Sequence, residues 1–316
     1  MSRTRLTFKN RAEWLQSRTQ GIGASEVPTI LGVNPWETPL QLWRRKKGLD
    51  EPKVENFAMK AGHYLEDAVS KFYADETGAY IIQSSKDDFM FVNDEKPFLR
   101  VSPDRLYWQN GMAHNEANKC ILECKTTQME VDDEELPKHW FCQLQMNLGV
   151  SEIEHGALAW LTKGRTFGYR DFTFDKDFFD WMVEEVERFW VDNIQGDKEP
   201  PVTTVDDVFK KYSHSRSTAT NIVADEKIME QVSLLKSINE QAKNLEAQGK
   251  ECKANIIKYM DKNDTLTLSD NETILCTYKS AKDSQKFDEK AFKADNPELY
   301  QKYLINTAGS RRFLLK

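Results

Sequence analysis

The sequence predicts a mixed α/β protein of the α+β type, with a helical appendage behind it. Three observations carry this reading. Runs with helical period and runs with strand alternation interleave over roughly the first two hundred residues. The 316 residues suffice for one large domain plus an appendage, or for two ordinary domains. A turn-rich break, Gly196-Asp197-Lys198-Glu199-Pro200-Pro201, then separates that region from a long helix with a single apolar stripe. We place the division there, with a core at 1–198 and a C-terminal extension at 199–316.

Asn10 to Arg18 reads as a short helix with Trp14 and Leu15 as its apolar contacts. The turn Gly21-Ile22-Gly23 follows, and Ser25 is placed to cap or open the next helix. Such a turn is compatible with phosphate binding or with plain capping. After Asn34 to Pro39, a helix from Leu40 to Lys47 ends at Gly48. Its Arg44-Arg45-Lys46-Lys47 run is either a track for a DNA backbone or a solvated helix end.

Phe57 to Thr77 has strong helical period and is closed by Gly78. Glu66 lies on this largely apolar helix, where a carboxylate calls for a partner. Strands are expected at Tyr80 to Gln83, Phe89 to Val92, Phe98 to Val101, Leu106 to Trp108 and Cys120 to Thr126. Pro137 to Val150 is the next helix, with Gln143 and Gln145 as polar residues near its apolar face. Strands at Gly156 to Leu161 and Phe167 to Phe174 precede a helix at Phe178 to Ile194. In the extension, Glu226 to Asp261 is a long helix. A hairpin runs from Thr265 to Tyr278, a short helix from Glu289 to Ala294, and the tail ends in Arg311 to Lys316.

Charged residues make up 30% and hydrophobic residues 39% of the chain, as in soluble globular proteins. No apolar run approaches the ~20 residues of a membrane span, and the first residues lead into no signal core. A cytoplasmic protein without membrane contact is expected. The five cysteines form no C-x-x-C pair, which speaks against disulfides and against zinc or iron–sulfur sites. Cys120 and Cys124 read as small strand residues. The net charge of −7 is unusual for a nucleic-acid binder, so local clusters must decide that question.

The chemistry concentrates in Val101-Ser102-Pro103-Asp104 and Ile121-Leu122-Glu123-Cys124-Lys125. Strand side chains alternate faces, so Glu123 and Lys125 point the same way. Asp104, Glu123 and the backbone carbonyl of Cys124 offer hard oxygen ligands for one Mg²⁺, and Glu66 could complete the site or hold a second ion. Such an ion lowers the pKa of water and stabilises phosphate charge. Lys125 suits the attacking water or the transition-state charge, and Gln143 suits orienting either. A D…E-x-K pattern alone is weak. The order helix-Glu, strand, Pro-Asp, strand E-x-K, helix-Gln is stronger.

That order resembles the PD-(D/E)XK nucleases, and more narrowly the lambda exonuclease and YqaJ-type viral recombinase family. Arg18 with Gly21-Ile22-Gly23-Ala24-Ser25-Glu26-Val27 looks like the family's N-terminal motif. Ile30 to Pro39 is especially like YqaJ-type members, and Ala61-Gly62-His63-Tyr64-Leu65-Glu66 resembles the first acidic helix. Ser102-Pro103-Asp104, Leu122-Glu123-Cys124-Lys125 and Cys142-Gln143-Leu144-Gln145 look like the catalytic core.

The resemblance spans roughly the first two hundred residues. It implies a mixed central sheet flanked by helices, with 1–198 as the exonuclease core. It also implies Mg²⁺-dependent degradation of double-stranded DNA from the 5′ end, with Mn²⁺ able to substitute, leaving 3′ single strands for phage-type recombination. Arg18 and Ser25 match positions that hold the 5′ phosphate, with Ser102 assisting. A ring of three subunits, a single-strand annealing partner and a phage or prophage origin in a bacterial host are implied as well. A structure-specific or nicking endonuclease of the same superfamily, or a DNA-binding protein that kept the fold, are the alternatives. The segment after Gly196 departs from the compact lambda-type enzymes.

Overall fold

The computed structural model describes residues 2–50, 56–82, 89–212, 222–262, 267–270, 272–280, 282–283, 285–305 and 312–315. It divides into two compact units, Met1–Lys210 and Lys211–Lys316. The sequence boundary at 198 falls twelve residues before this division. Helix Val205–Lys211 accounts for the difference, because Asp207 accepts hydrogen bonds from Thr38 (2.9 Å) and Gln41 (3.0 Å) of the first unit.

In chain order the first unit carries β1 (Arg3–Thr7), α1 (Arg11–Thr19), β2 (Ile22–Gly23), α2 (Val27–Ile30), α3 (Pro39–Lys46) and α4 (Phe57–Thr77). There follow β3 (Tyr80–Ile82), β4 (Phe89–Asn93), β5 (Leu99–Val101), β6 (Arg105–Trp108) and β7 (Lys119–Thr127). Then come α5 (Lys138–Ser151), β8 (His155–Thr162), β9 (Thr166–Thr173), α6 (Lys176–Arg188) and α7 (Val205–Lys211). The expected helix from Phe178 to Ile194 is α6 followed by a π-helical segment, Phe189–Gln195.

Among its described residues the first unit forms two sheets, and both are mixed, as expected. One runs β3-β6-β7-β8-β9 and the other β1-β4-β5-β2. In the five-stranded sheet only β7 and β8 are parallel. A parallel neighbour needs a crossover, and α5 supplies it. β7 is therefore the central strand, covered on both faces, which explains its near-continuous apolar run. Ile121 faces the core built with Leu144 and Leu148 of α5. Cys120, Leu122 and Cys124 face the opposite core, with Val69 and Tyr73 of α4. Glu123 and Lys125 take the α5 side by alternation.

α4 begins at an Asn56 cap, whose side chain accepts from the Met59 N–H, and ends at Gly78 with φ 70°. α5 lies close against α6 because Gly149 has no side chain. A Cβ there would meet the Phe179 ring at 2.2 Å. Gly149→Ala should therefore destabilise the unit by about 1–3 kcal/mol, the usual cost of overfilling a packed core, read as a lower urea midpoint with unchanged slope.

The second unit contains α8 (Glu226–Lys262), the hairpin β10 (Thr267–Ser269) and β11 (Ile274–Thr277), α9 (Glu289–Asp295) and α10 (Pro297–Lys302). The expected strand starts at Thr265 and Leu266, and the basic Arg311, lie outside the described residues, as do Gln83 at the end of β3 and 213–216 of the segment before α8.

Candidate active site

β7 and β6 fix the acidic pair. Their antiparallel register sets Arg105 opposite Leu122, so one step further Asp104 stands opposite Glu123. The turn at Asp104 is pinned by the Cys124 N–H, which donates to Asp104 Oδ2 at 2.9 Å. Two positions along β7, Lys125 Nζ reaches Glu123 Oε2 at 3.0 Å. Gln143 on α5 closes a triangle. Its Oε1 accepts from Lys125 Nζ at 2.9 Å and its Nε2 donates to the same Glu123 oxygen at 2.6 Å.

Glu123 is fully buried, so this pairing is structural as well as chemical. A buried carboxylate is tolerated only with partners. Burial pushes the Lys125 ammonium down, but Glu123 and Asp104 more than offset it, and the net direction is up. Lys125 is thus held as a cation.

A cleft of about 270 Å³ opens over this group. Its wall includes Glu66, Asp104, Cys124, Lys125 and Gln143, together with Arg18, Ser25 and Ser102. Eight of the nine sequence-selected residues therefore line one cavity. Glu123 does not, since it lies completely buried. Arg11, Trp14, His63 and Arg100 also line it, and sequence reading gave none of them a role there.

Ser25 sits in a 3-10 turn, Ala24–Glu26, entered from Gly23. It is a turn residue rather than a cap. Arg18 Nη2 donates to Ser25 Oγ at 3.0 Å and its guanidinium lies 5.0 Å from the Trp14 ring centre. Trp14 is oriented in turn, because its Nε1 donates to Ser102 Oγ at 3.0 Å. The Ser102 hydroxyl donates its own hydrogen to the Phe89 carbonyl at 3.0 Å, so this serine steadies Trp14. Gly23 packs beside Arg18, where a Cβ would come within 3.3 Å of Nη2.

The Arg44 to Lys47 run is engaged by carboxylates of its own unit. Arg44 pairs with Asp50 at 2.7 Å, Arg45 with Glu26 at 3.0 Å and Glu37 at 2.9 Å, and Lys47 with Asp197 at 2.8 Å. Lys46 pairs with Glu26 at 2.8 Å and donates to the Gly21 carbonyl at 2.6 Å. This network supports the cleft from behind, with Glu26 accepting from the Gly23 N–H at 2.9 Å.

Burial alone would raise the Glu26 carboxyl, but Lys46, Arg18 and Arg45 bring it from 4.5 to about 2. A depressed carboxylate adds stability above its unfolded pKa and loses it as pH falls through the folded one. Glu26→Gln should thus lower the melting temperature at pH 7, and the gap to wild type should close between about pH 4.5 and 2. Thermal melts across that range check this.

Gln145 turns away from the cleft. It donates to the Thr173 carbonyl at 2.9 Å and accepts from the Asp175 N–H at 2.8 Å, tying α5 to the end of β9. Asn147, not selected from the sequence, donates to Glu123 Oε1 at 2.5 Å. Asn147 follows Gln143 by one helical turn, a spacing that gains meaning only once α5 is set against Glu123.

Among the described residues no three His, Cys, Asp or Glu side chains form a group able to hold an ion alone. The donors near the cleft are nonetheless hard oxygens from carboxylates. That set fits Mg²⁺, which keeps several waters and takes one or two carboxylates, and does not fit an all-protein cage.

A sequence profile of the YqaJ-like viral recombinase domain matches residues 13–154. The chain is also 30% identical over 319 aligned residues to the uncharacterized protein YqaJ of Bacillus subtilis strain 168, covering 97% of this chain and 94% of that one. The chain belongs to the YqaJ family. The profile match on this YqaJ-family chain contains Arg18, Ser25, Glu66, Asp104, Glu123, Lys125 and Gln143.

Among solved structures it is similar to an alkaline exonuclease, LHK-Exo, from Laribacter hongkongensis. The identity is 15%, the TM-score 0.44, and the match covers 58% of this chain and 93% of that one. It is also similar to a phage related exonuclease from Haemophilus somnus 129PT, at 12% identity and TM-score 0.39, covering 56% and 96%. Among the described residues no helix is long and apolar enough to cross a membrane.

Proposed function

We propose that this protein is a Mg²⁺-dependent exonuclease that degrades double-stranded DNA from the 5′ end and leaves 3′ single strands for recombination by annealing. The observation that carries the reading is the closed Glu123–Lys125–Gln143 triangle, whose Lys125 and Gln143 line, with Asp104, a cleft that also holds Arg18 and Ser25, while Glu123 lies buried behind them.

Asp104, Glu123, the Cys124 carbonyl and Glu66 would hold the Mg²⁺, with Mn²⁺ able to take its place. When bound, the ion supplies Lewis acidity toward water and the phosphate. Lys125, held protonated, donates to the charge that builds on the phosphate oxygens. Gln143 keeps the Lys125 ammonium aimed and orients the attacking water. Arg18, braced by Trp14 and Ser25, takes the 5′-terminal phosphate by charge-assisted hydrogen bonds, and Ser102 assists through Trp14.

In this reading residues 1–198 are the exonuclease core and 199–316 an extension. The chain acts on DNA ends as a homo-oligomer, a trimer by family likeness, with a single-strand annealing protein as partner, inside a bacterial host.

The test compares linear duplex DNA with covalently closed circles in Mg²⁺. Nucleotide release from the linear form alone is expected. Cleavage of the circle would make the protein an endonuclease of the same superfamily, and no cleavage of either would leave only DNA binding.

A further inference from the structure

Asn147 is completely buried, yet its Oδ1 has no hydrogen-bond partner. Its neighbours along α5, Leu144, Met146 and Leu148, are apolar core residues. An unpaired buried acceptor is unfavourable, and an apolar side chain of similar volume avoids that penalty. The orphaned Oδ1 therefore adds nothing to stability. What the amide does instead is donate from Nδ2 to Glu123 Oε1 at 2.5 Å.

Lys125 Nζ at 3.0 Å and Gln143 Nε2 at 2.6 Å both donate to Oε2. The last torsion of a glutamate is broad, so a carboxylate gripped at one oxygen can still swing about that grip. Gripped at both oxygens, its plane is set. We propose that Asn147 is a positioning residue that fixes the plane of the Glu123 carboxylate and thereby the alignment of the reacting groups. The inference rests on the nuclease reading of the cleft. It separates two duties of α5: Gln143 links Glu123 to Lys125, whereas Asn147 stops the carboxylate turning.

The test uses the full chain carrying Asn147→Leu. The melting temperature should fall, because the buried Glu123 Oε1 loses this donor, and KM for linear duplex DNA should stay within about twofold. Partners of metal-holding groups change affinity or activity by about 10–100-fold when removed, so kcat should fall by that factor. Binding of Mn²⁺ without DNA, read by electron paramagnetic resonance, should weaken about tenfold on the same basis.

Asn147→Ala, which leaves space rather than apolar contact, should show the same two losses with a still lower melting temperature, and it serves if the leucine variant does not fold. The proposal is overturned if kcat and Mn²⁺ affinity are both unchanged in the folded variant. A kcat loss that merely follows the melting temperature, with Mn²⁺ affinity intact, overturns it too. If the wild type releases no nucleotides, the nuclease reading fails by itself, and the Mn²⁺ comparison still decides the role of Asn147.

Discussion

Lys125→Ala should abolish nucleotide release, with kcat reduced by about a thousandfold or more while the protein still binds linear DNA. Removing one preorganised donor at a developing oxyanion costs about 10²–10³ in rate. Lys125 in addition shares Glu123 Oε2 with Gln143. Its loss leaves a fully buried carboxylate without its cation, and breaking a buried pair from one side costs about 3–5 kcal/mol. Circular dichroism and a urea midpoint must accompany the rate. Glu123 keeps Gln143 and Asn147 as donors, so the variant should fold, at lower stability. Single-turnover digestion of an end-labelled duplex measures the rate. Retention of more than about a tenth of the activity in a folded variant is incompatible with the role assigned to Lys125, given the magnitude expected of such a donor.

Arg18→Ala should erase the preference for a phosphorylated 5′ end. Wild type is expected to digest a 5′-phosphorylated duplex about ten- to a hundredfold faster than its hydroxyl counterpart, since a hydrogen bond to a charged group contributes about 1.5–3 kcal/mol. In the variant the two substrates should converge on the slower rate. Arg18 is held in place by the Trp14 ring and Ser25, so little ordering cost remains on binding. Ser25→Ala should reproduce part of the effect. A wild-type enzyme indifferent to the 5′ phosphate would show that Arg18 has another task.

Much of this is legible in the sequence where local pattern and tertiary demand agree. α4 is read end to end, because its apolar period and its terminal Gly78 point the same way, and the structure adds the Asn56 cap. β7 is legible because its apolar alternation places Glu123 and Lys125 on one face. β1, Arg3–Thr7, is not, since its alternation is weak and its order comes from pairing with β4.

The Arg44 to Lys47 run shows the limit of composition. Its charge suggests DNA contact or solvent, and only the fold reveals Glu26, Glu37, Asp50 and Asp197 as its partners. Asn147 is hidden for a related reason. An asparagine between Met146 and Leu148 carries no signal until its helix is set against Glu123.

The central claim is that Asp104 and Lys125 serve one hydrolytic unit. Residues acting as a unit are strongly non-additive. The decisive measurement is kcat/KM for Mg²⁺-dependent nucleotide release from linear duplex DNA by wild type, Asp104→Asn, Lys125→Ala and the double variant, each shown to be folded. Each single change should remove nearly all activity, and the double variant should be no more than a few-fold worse than the weaker single. Losses that multiply, or a folded Asp104→Asn with near wild-type release, would contradict the account.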